Sequence, residues 1–253
     1  MAKPKSPYLV VIPYLPVACQ GCELLFAIEG WRRHFKEPYH IIVIGEGVHG
    51  LDAEDLTCID SPRVPEAPGQ YRQHVDYVSC LRKVRKMYPR SKGFIMVADD
   101  CYAVNDFTIK DVRTLKMLAP AIDYNPESPN AWRRDKMKTK QALLAAGLPT
   151  RNFTTHVPQW FEWGKWEALV EQYQMDRESY VIEDLYYNTY HPDEEAVSVD
   201  DANQPYKYGV YTTRPDANEI ARALTDKIWI TNSPDGWVPA LFNTLQGHYK
   251  LKP

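Results

Sequence analysis

Two adjacent carboxylates, Asp99-Asp100, follow the unbroken apolar run Phe94 to Ala98, which Gly93 bounds from behind. The pattern reads as a buried strand that ends in two acids. Open α/β sheets bind ligands outside the carboxyl ends of their strands. Paired carboxylates there suit a hard divalent cation such as Mn²⁺ or Mg²⁺, which takes oxygen ligands and can hold a substrate phosphate. The plain alternative is a solvated acidic turn. A second acidic pair, Glu183-Asp184, sits in the aromatic and β-branched run Tyr180 to Asn188. His156, in the loop Thr154-Thr-His-Val-Pro158, is a candidate metal ligand or acid/base, with a structural histidine as the alternative. Asp99, Asp100 and His156 are therefore the metal candidates, and Arg63, on a loop marked by Pro62, Pro65 and Pro68, can meet a phosphate.

Other motifs carry less. Gly45-Glu-Gly47 lacks the third glycine of the dinucleotide fingerprint and reads as a tight turn at a strand end. Cys19-Gln-Gly-Cys22 fits a C-x-x-C spacing but has no second Cys or His pair to complete a zinc site. Arg133, Arg134, Lys136, Lys138 and Lys140 form a dense basic cluster on one helix, which can face an anionic acceptor or simply water. Trp160, Trp163 and Trp166 offer flat faces on which sugars can stack, or the entry to a helix core.

The elements that must position these residues are legible in order. Tyr8 to Tyr14 is a central strand stopped by Pro13, and Glu23 to His34 is an amphipathic helix with Leu24, Leu25, Ile28 and Trp31 inward. His40 to Gly45 and Leu56 to Asp60 are further strands. Val75 to Tyr88 is a helix with Val78, Leu81, Val84 and Met87 inward and Arg82, Lys83, Arg85 and Lys86 on a solvated face. With Phe94 to Ala98 this predicts an α/β fold, a mostly parallel Rossmann-like sheet flanked by helices. Past Asp106 the reading is a connection over Ile109 to Leu118, a break at Asp123 to Pro129, a helix from Trp132 to Ala146 and another ending near Tyr173. A mobile acidic loop from Asp193 to Gln204, a helix from Pro215 to Leu224, a strand from Lys227 to Thr231 and a helix from Gly236 to Tyr249 complete the chain.

Composition sets the class. With 253 residues the chain can bury a full core as one domain. A net charge of -3 supplies no global field for nucleic acid or membrane, so partners must be read from local sites. The 17 Tyr, 7 Trp and 20 Pro suit long ordered loops and flat binding surfaces. Five cysteines, an odd number without dense spacing, favour a reduced compartment, and a cytoplasmic location is expected. Lys3 and Lys5 precede the apolar run Tyr8 to Ala18, which Pro13 and Pro16 break and which is too short to span a bilayer.

The opening strand Val10-Val-Ile-Pro-Tyr14, the helix Glu23 to Arg33 and the apolar strand closing on Asp99-Asp100 resemble nucleotide-sugar glycosyltransferases of the GT-A fold over residues 8 to 107. Asp99-Asp100 would stand for that fold's D-x-D motif, although Cys101 occupies its third position. Val97 to Tyr102, His156-Val-Pro158 and Thr231 to Asp235 also resemble segments of Stealth-like sugar-phosphate transferases of capsule synthesis, whose N-terminal signature is absent here. The resemblance implies one catalytic domain over 1–253, with a nucleotide-sugar-binding half (1–107) and an acceptor-side half (108–253). It implies a metal-dependent glycosyltransferase using Mn²⁺ or Mg²⁺ and a nucleotide-sugar donor, with Pro13, Tyr14, Glu46, Arg63 and Asp99 around the donor. Asp184 or Glu183 would be the base toward a carbohydrate or other hydroxyl acceptor, and His156 would complete the metal shell. Sugar-1-phosphate transfer, a non-catalytic binding module and a nucleic acid acceptor facing Arg133 to Lys140 are the competing readings.

Overall fold

The computed structural model describes residues 7–15, 19, 21–48, 51, 53–63 and 73–250. Lys3, Lys5, Pro16, Ala18, Pro65 and Pro68, used in the reading above, lie outside them. The chain runs β1 (Tyr8–Tyr14), α1 (Glu23–His34), β2 (Tyr39–Gly45), β3 (Leu56–Asp60), α2 (Gln73–Met87) and β4 (Gly93–Met96). It continues through β5 (Cys101–Ala103), α3 (Ile109–Arg113), β6 (Lys116–Met117), α4 (Ala131–Ala145), β7 (Gln159–Glu162) and α5 (Trp163–Gln172). It closes with α6 (Ile182–Tyr190), β8 (Val197–Ser198), β9 (Lys207–Val210), α7 (Ala217–Asp226), β10 (Trp229–Asn232) and α8 (Pro239–Tyr249).

The main sheet has the order β3-β2-β1-β4-β7, parallel except for β7 at its edge. Its strands are apolar on both sides because both faces are covered, as parallel sheets require. Leu9, Val11, Ile42, Ile44, Phe94 and Met96 pack on one face against α2, α5 and α6. Val10, Ile12, Ile41, Val43 and Ile95 pack on the other against Leu24, Ile28 and Trp31 of α1. The opposite side of α1, through Phe26 and Ala27, meets a second sheet of order β5-β10-β9 that also holds α7 and α8. At that contact a side chain on Gly30 would collide with the Ala103 backbone, its nearest atom only 2.8 Å from a Cβ.

Several expectations shift. The strand expected to run to Ala98 ends at Met96, and the chain enters the second sheet at Cys101. Asp99-Asp100 therefore occupies the crossing between two sheets rather than a simple strand end. Leu25 and Met87 are half exposed, at 48% and 52%, because they sit at the margins of their helices' apolar stripes, where Ala27 and Phe26 take the inward places on α1. The segment expected as a mobile loop from Asp193 contains β8, paired in parallel with β6, and the buried Gln204, whose amide donates to the Val199 and Lys207 carbonyls. Among the described residues no helix is long and apolar enough to cross a membrane.

Candidate active site

A cleft opens over the carboxyl ends of β1, β2 and β4. The strands β1 and β4 are paired only at Val10–Ile95 and Val11–Met96, so they part before Pro13, which can donate no hydrogen bond across the gap. The cleft has two lobes. Pro13, Tyr14, Glu46, Arg63 and Asp99 all line the first, with Gly45, Ser61, Asp76 and Tyr77. Asp99, His156 and Glu183 line the second, with His74, Trp132 and Thr154. Pro13, Gln73, Tyr77 and Asp99 belong to both. Residues far apart in sequence converge because they stand at or just beyond the carboxyl ends of strands, or in the first turns of α2, α4 and α6.

In the first lobe the Gly45-Glu-Gly47 turn is closed by Asp60, whose Oδ1 accepts from the Gly47 amide at 2.9 Å. Gly47 has φ +68°, the left-handed region that glycine enters at no steric cost. Arg63 donates from Nε to Asp76 at 3.4 Å. Burial, then the neighbouring Cys19, pushes the Tyr14 hydroxyl up to about 12. Burial likewise raises Cys19 to about 11 and Cys22 above its ordinary value, and both are free. Thiols held protonated are less nucleophilic than those of a reactive C-x-x-C pair.

At the junction, burial, then the charges of Asp100 and Glu23, raises Asp99 to about 7. Asp100 Oδ1 is buried without a hydrogen-bond partner, while its Oδ2 lies 3.8 Å from His156 Nδ1. His156 sits just before β7, whose antiparallel pairing with β4 sets Gln159 beside Met96 and so brings the loop alongside Asp99-Asp100. Its φ of +61° is uncommon for any residue with a Cβ, although histidine is among those that adopt it.

The second acidic pair is divided by its helix. Both residues lie in the first turn of α6, where consecutive side chains point about 100° apart. Glu183 lines the second lobe and its Oε2 is buried with no partner. Burial raises its carboxyl above the ordinary value. Asp184 is fully enclosed: Oδ2 accepts from Lys136 Nζ at 2.5 Å and Oδ1 from the Phe153 amide at 2.7 Å. The expected base at Asp184 is thus corrected, since both of its oxygens are committed inside the core.

The basic helix α4 is largely occupied as well. Lys136 is buried, donating also to Asn152 and Thr154, and Lys138 pairs with Glu178 at 2.5 Å. Arg134 binds the carbonyls of Ser128 and Pro129. Arg133 is exposed and Lys140 half-buried, so two of the five cations are left for an anionic partner. Trp163 and Trp166 are core residues at 1% exposure, packed around Phe94, and Trp160 is covered by the Arg113 guanidinium at 4.7 Å. The aromatic faces in the second lobe are instead Tyr77 and Trp132. In the Thr231 to Asp235 segment, Asn232 is buried, accepting from the Tyr102 hydroxyl and donating to Glu23, so it joins β10 to α1 rather than facing the cleft.

His74, Tyr77 and Trp132 went unnoticed in the sequence. The one available signal was position: His74 and Tyr77 begin the helix that follows the phosphate-loop candidate Arg63, and Trp132 begins α4.

No family model and no curated protein sequence matches the chain. Among solved structures the chain is similar to the apo structure of WbbM, a bifunctional glycosyltransferase, at 12% identity and a TM-score of 0.48. That likeness covers 98% of this chain and 50% of the other, so the chain spans half its length. It is also similar to a glycosyltransferase involved in the glycosylation of the major capsid of PBCV-1, at 10% identity and a TM-score of 0.44, over 97% of this chain and 100% of the other. Both likenesses are loose, and the chemistry has to be read from the cleft itself.

Proposed function

We propose that the protein is a glycosyltransferase that moves a sugar from a nucleotide-sugar donor to an acceptor hydroxyl. The supporting observation is the two-lobed cleft joined at Asp99, with the donor candidates Pro13, Tyr14, Glu46 and Arg63 on one side and Glu183 and His156 on the other. In this reading the nucleoside diphosphate occupies the first lobe and the transferred sugar lies past Asp99, toward Glu183.

A divalent cation fits the donor set at the junction. Asp100 Oδ1 is a buried, unpartnered oxygen, and Asp99 beside it is held near neutrality by burial and its neighbour's charge. A cation relieves both conditions. Among the described residues no group of three or more His, Cys, Asp and Glu is arranged to hold a metal by itself. Mn²⁺ or Mg²⁺ would therefore be shared between the protein carboxylates and the diphosphate, a common mode for Mg²⁺. When bound, the ion neutralises charge that grows on the leaving diphosphate. The first lobe also carries the carboxylates Glu46, Asp76 and Asp99, and its Arg63 already pairs with Asp76. A diphosphate entering this acidic surface needs a cation with it.

The chain's own groups supply the rest. Glu183 accepts the proton of the acceptor hydroxyl; its raised pKa brings it closer to a general base matched to neutral pH. Asp184, through Lys136, fixes the first turn of α6 and so the direction of Glu183. His156 orients Asp100 from across the β4–β7 edge.

The test is release of nucleoside diphosphate from UDP-glucose, UDP-N-acetylglucosamine and GDP-mannose with added Mn²⁺ or Mg²⁺ and a mixture of sugar acceptors. Turnover with at least one donor, lost in Glu183→Gln, is the expected result. Tight nucleotide binding with no release from any donor would point instead to a non-catalytic binding module.

A further inference from the structure

His74, in the first turn of α2, is 3% exposed and lines the second lobe, yet among the described residues neither ring nitrogen has a hydrogen-bond partner. A buried imidazole with both nitrogens unmet is costly. Its surroundings offer no internal remedy. The nearest aromatic, Tyr77, meets the ring at a 5.7 Å centroid distance in an edge arrangement, and its hydroxyl accepts from Gln73. Glu183 Oε2, in the same lobe, is likewise buried and unpartnered. Two orphaned polar groups in one lobe, with Trp132 and Tyr77 as its aromatic surfaces, describe a site whose hydrogen bonds are completed by a ligand.

The charge state narrows that ligand. Burial, then the nearby Lys136 ammonium, pushes His74 down to about 3, so the imidazole stays neutral. A neutral imidazole presents one donor and one acceptor, which matches groups that both donate and accept. An anion would face one donor and one repelling lone pair, and a metal ion would face the field of Lys136. A hydroxyl, which both donates and accepts, can meet either nitrogen.

We propose that His74 is a specificity-determining residue of the second lobe, hydrogen-bonding an uncharged hydroxyl of the donor's sugar ring. The assignment rests on the glycosyltransferase reading above and adds to it which side chain reads the sugar. A site built to bond a hydroxyl discriminates strongly against ligands that lack it, because its own polar groups are otherwise left unpaired.

The experiment compares wild type, His74→Phe and His74→Gln in calorimetric titrations with Mn²⁺ present, using UDP, GDP and the conjugates UDP-glucose, UDP-N-acetylglucosamine and GDP-mannose. For the conjugate that wild type binds, His74→Phe should lose about 10-fold or more in affinity, with free nucleoside diphosphate changed less than about 2-fold, and His74→Gln should recover part of the loss. Thermal melting of the ligand-free proteins supplies a second readout. Because the imidazole makes no internal hydrogen bond, His74→Phe should melt at or above the wild-type temperature. A clear fall in melting temperature, equal losses for nucleotide and conjugate, or unchanged conjugate affinity would each overturn the assignment. Failure of wild type to bind every nucleotide and conjugate would overturn the glycosyltransferase reading and this assignment with it, a pattern distinct from the other three.

Discussion

Asp99-Asp100 and Glu183-Asp184 are both adjacent acids at the same cleft, and the backbone uses them in opposite ways. The first pair lies in the irregular crossing from β4 to β5, where Asp99 lines both lobes and Asp100 lies 3.8 Å from His156. The second lies on a helix, whose rotation sends Glu183 to the cleft and Asp184 into the core against Lys136. In one pair burial, then like charge, raises Asp99; the other is split into a cleft-facing and a core member. An acidic pair in a sequence therefore announces chemistry only after the local backbone is known.

The comparison can be broken at each carboxylate in turn. Glu183→Gln should lower kcat by about 10²- to 10⁴-fold, the range for loss of a general base, while nucleotide affinity stays unchanged in calorimetry. In wild type the rate should fall with decreasing pH through the raised pKa of Glu183, since its protonated form cannot accept the acceptor's proton.

Asp184→Ala should act on the fold instead. Burial raises Asp184 and lowers Lys136, and their contact at 2.5 Å offsets that cost. Removing one partner strands the other, a loss of about 3–5 kcal/mol that denaturant unfolding would measure. The double change Asp184→Leu with Lys136→Met should recover much of it, because no charge is then left buried.

Asp99→Asn should do the reverse. Asp99 carries a folded pKa of about 7 against an ordinary value of 3.8, so the folded state binds the proton more tightly. Metal-free protein therefore loses stability as pH rises from about 4 through 7. The variant should melt above wild type at pH 8 in chelator, with the difference shrinking as pH falls towards 4. The smallest effect belongs to Trp160→Phe, which should leave donor affinity within about 2-fold, since this ring packs against Arg113 and Tyr8 rather than in the cleft; rare large effects are expected only where a buried group is stranded or a cavity opened.

Much of the first lobe was legible in the sequence. Strands such as His40 to Gly45 are continuous apolar runs because both sheet faces are covered, and Pro13 near the end of β1 meets Glu46 and Arg63, which follow β2 and β3, in one lobe. The second lobe was harder. Whether Glu183 or Asp184 faces the cleft depends on the residue at which α6 begins, and a shift of one position would exchange them. His74 lies one residue before the helix that the sequence predicts and belongs to no motif. Trp163 and Trp166 carry the composition of a sugar platform, but the edge strand β7 turns directly into α5 and delivers both to the core against Phe94. The partner of β5 is β10, near the other end of the chain, and no local pattern announces such a pairing.

The most direct measurement is calorimetric titration of UDP and GDP into wild type and Asp100→Ala, first with Mn²⁺ and then with chelator. The account predicts that one nucleotide binds wild type with Mn²⁺, and that chelator or Asp100→Ala abolishes the binding. Equal affinity in chelator, or full affinity in Asp100→Ala, would contradict a diphosphate and cation shared at Asp99-Asp100.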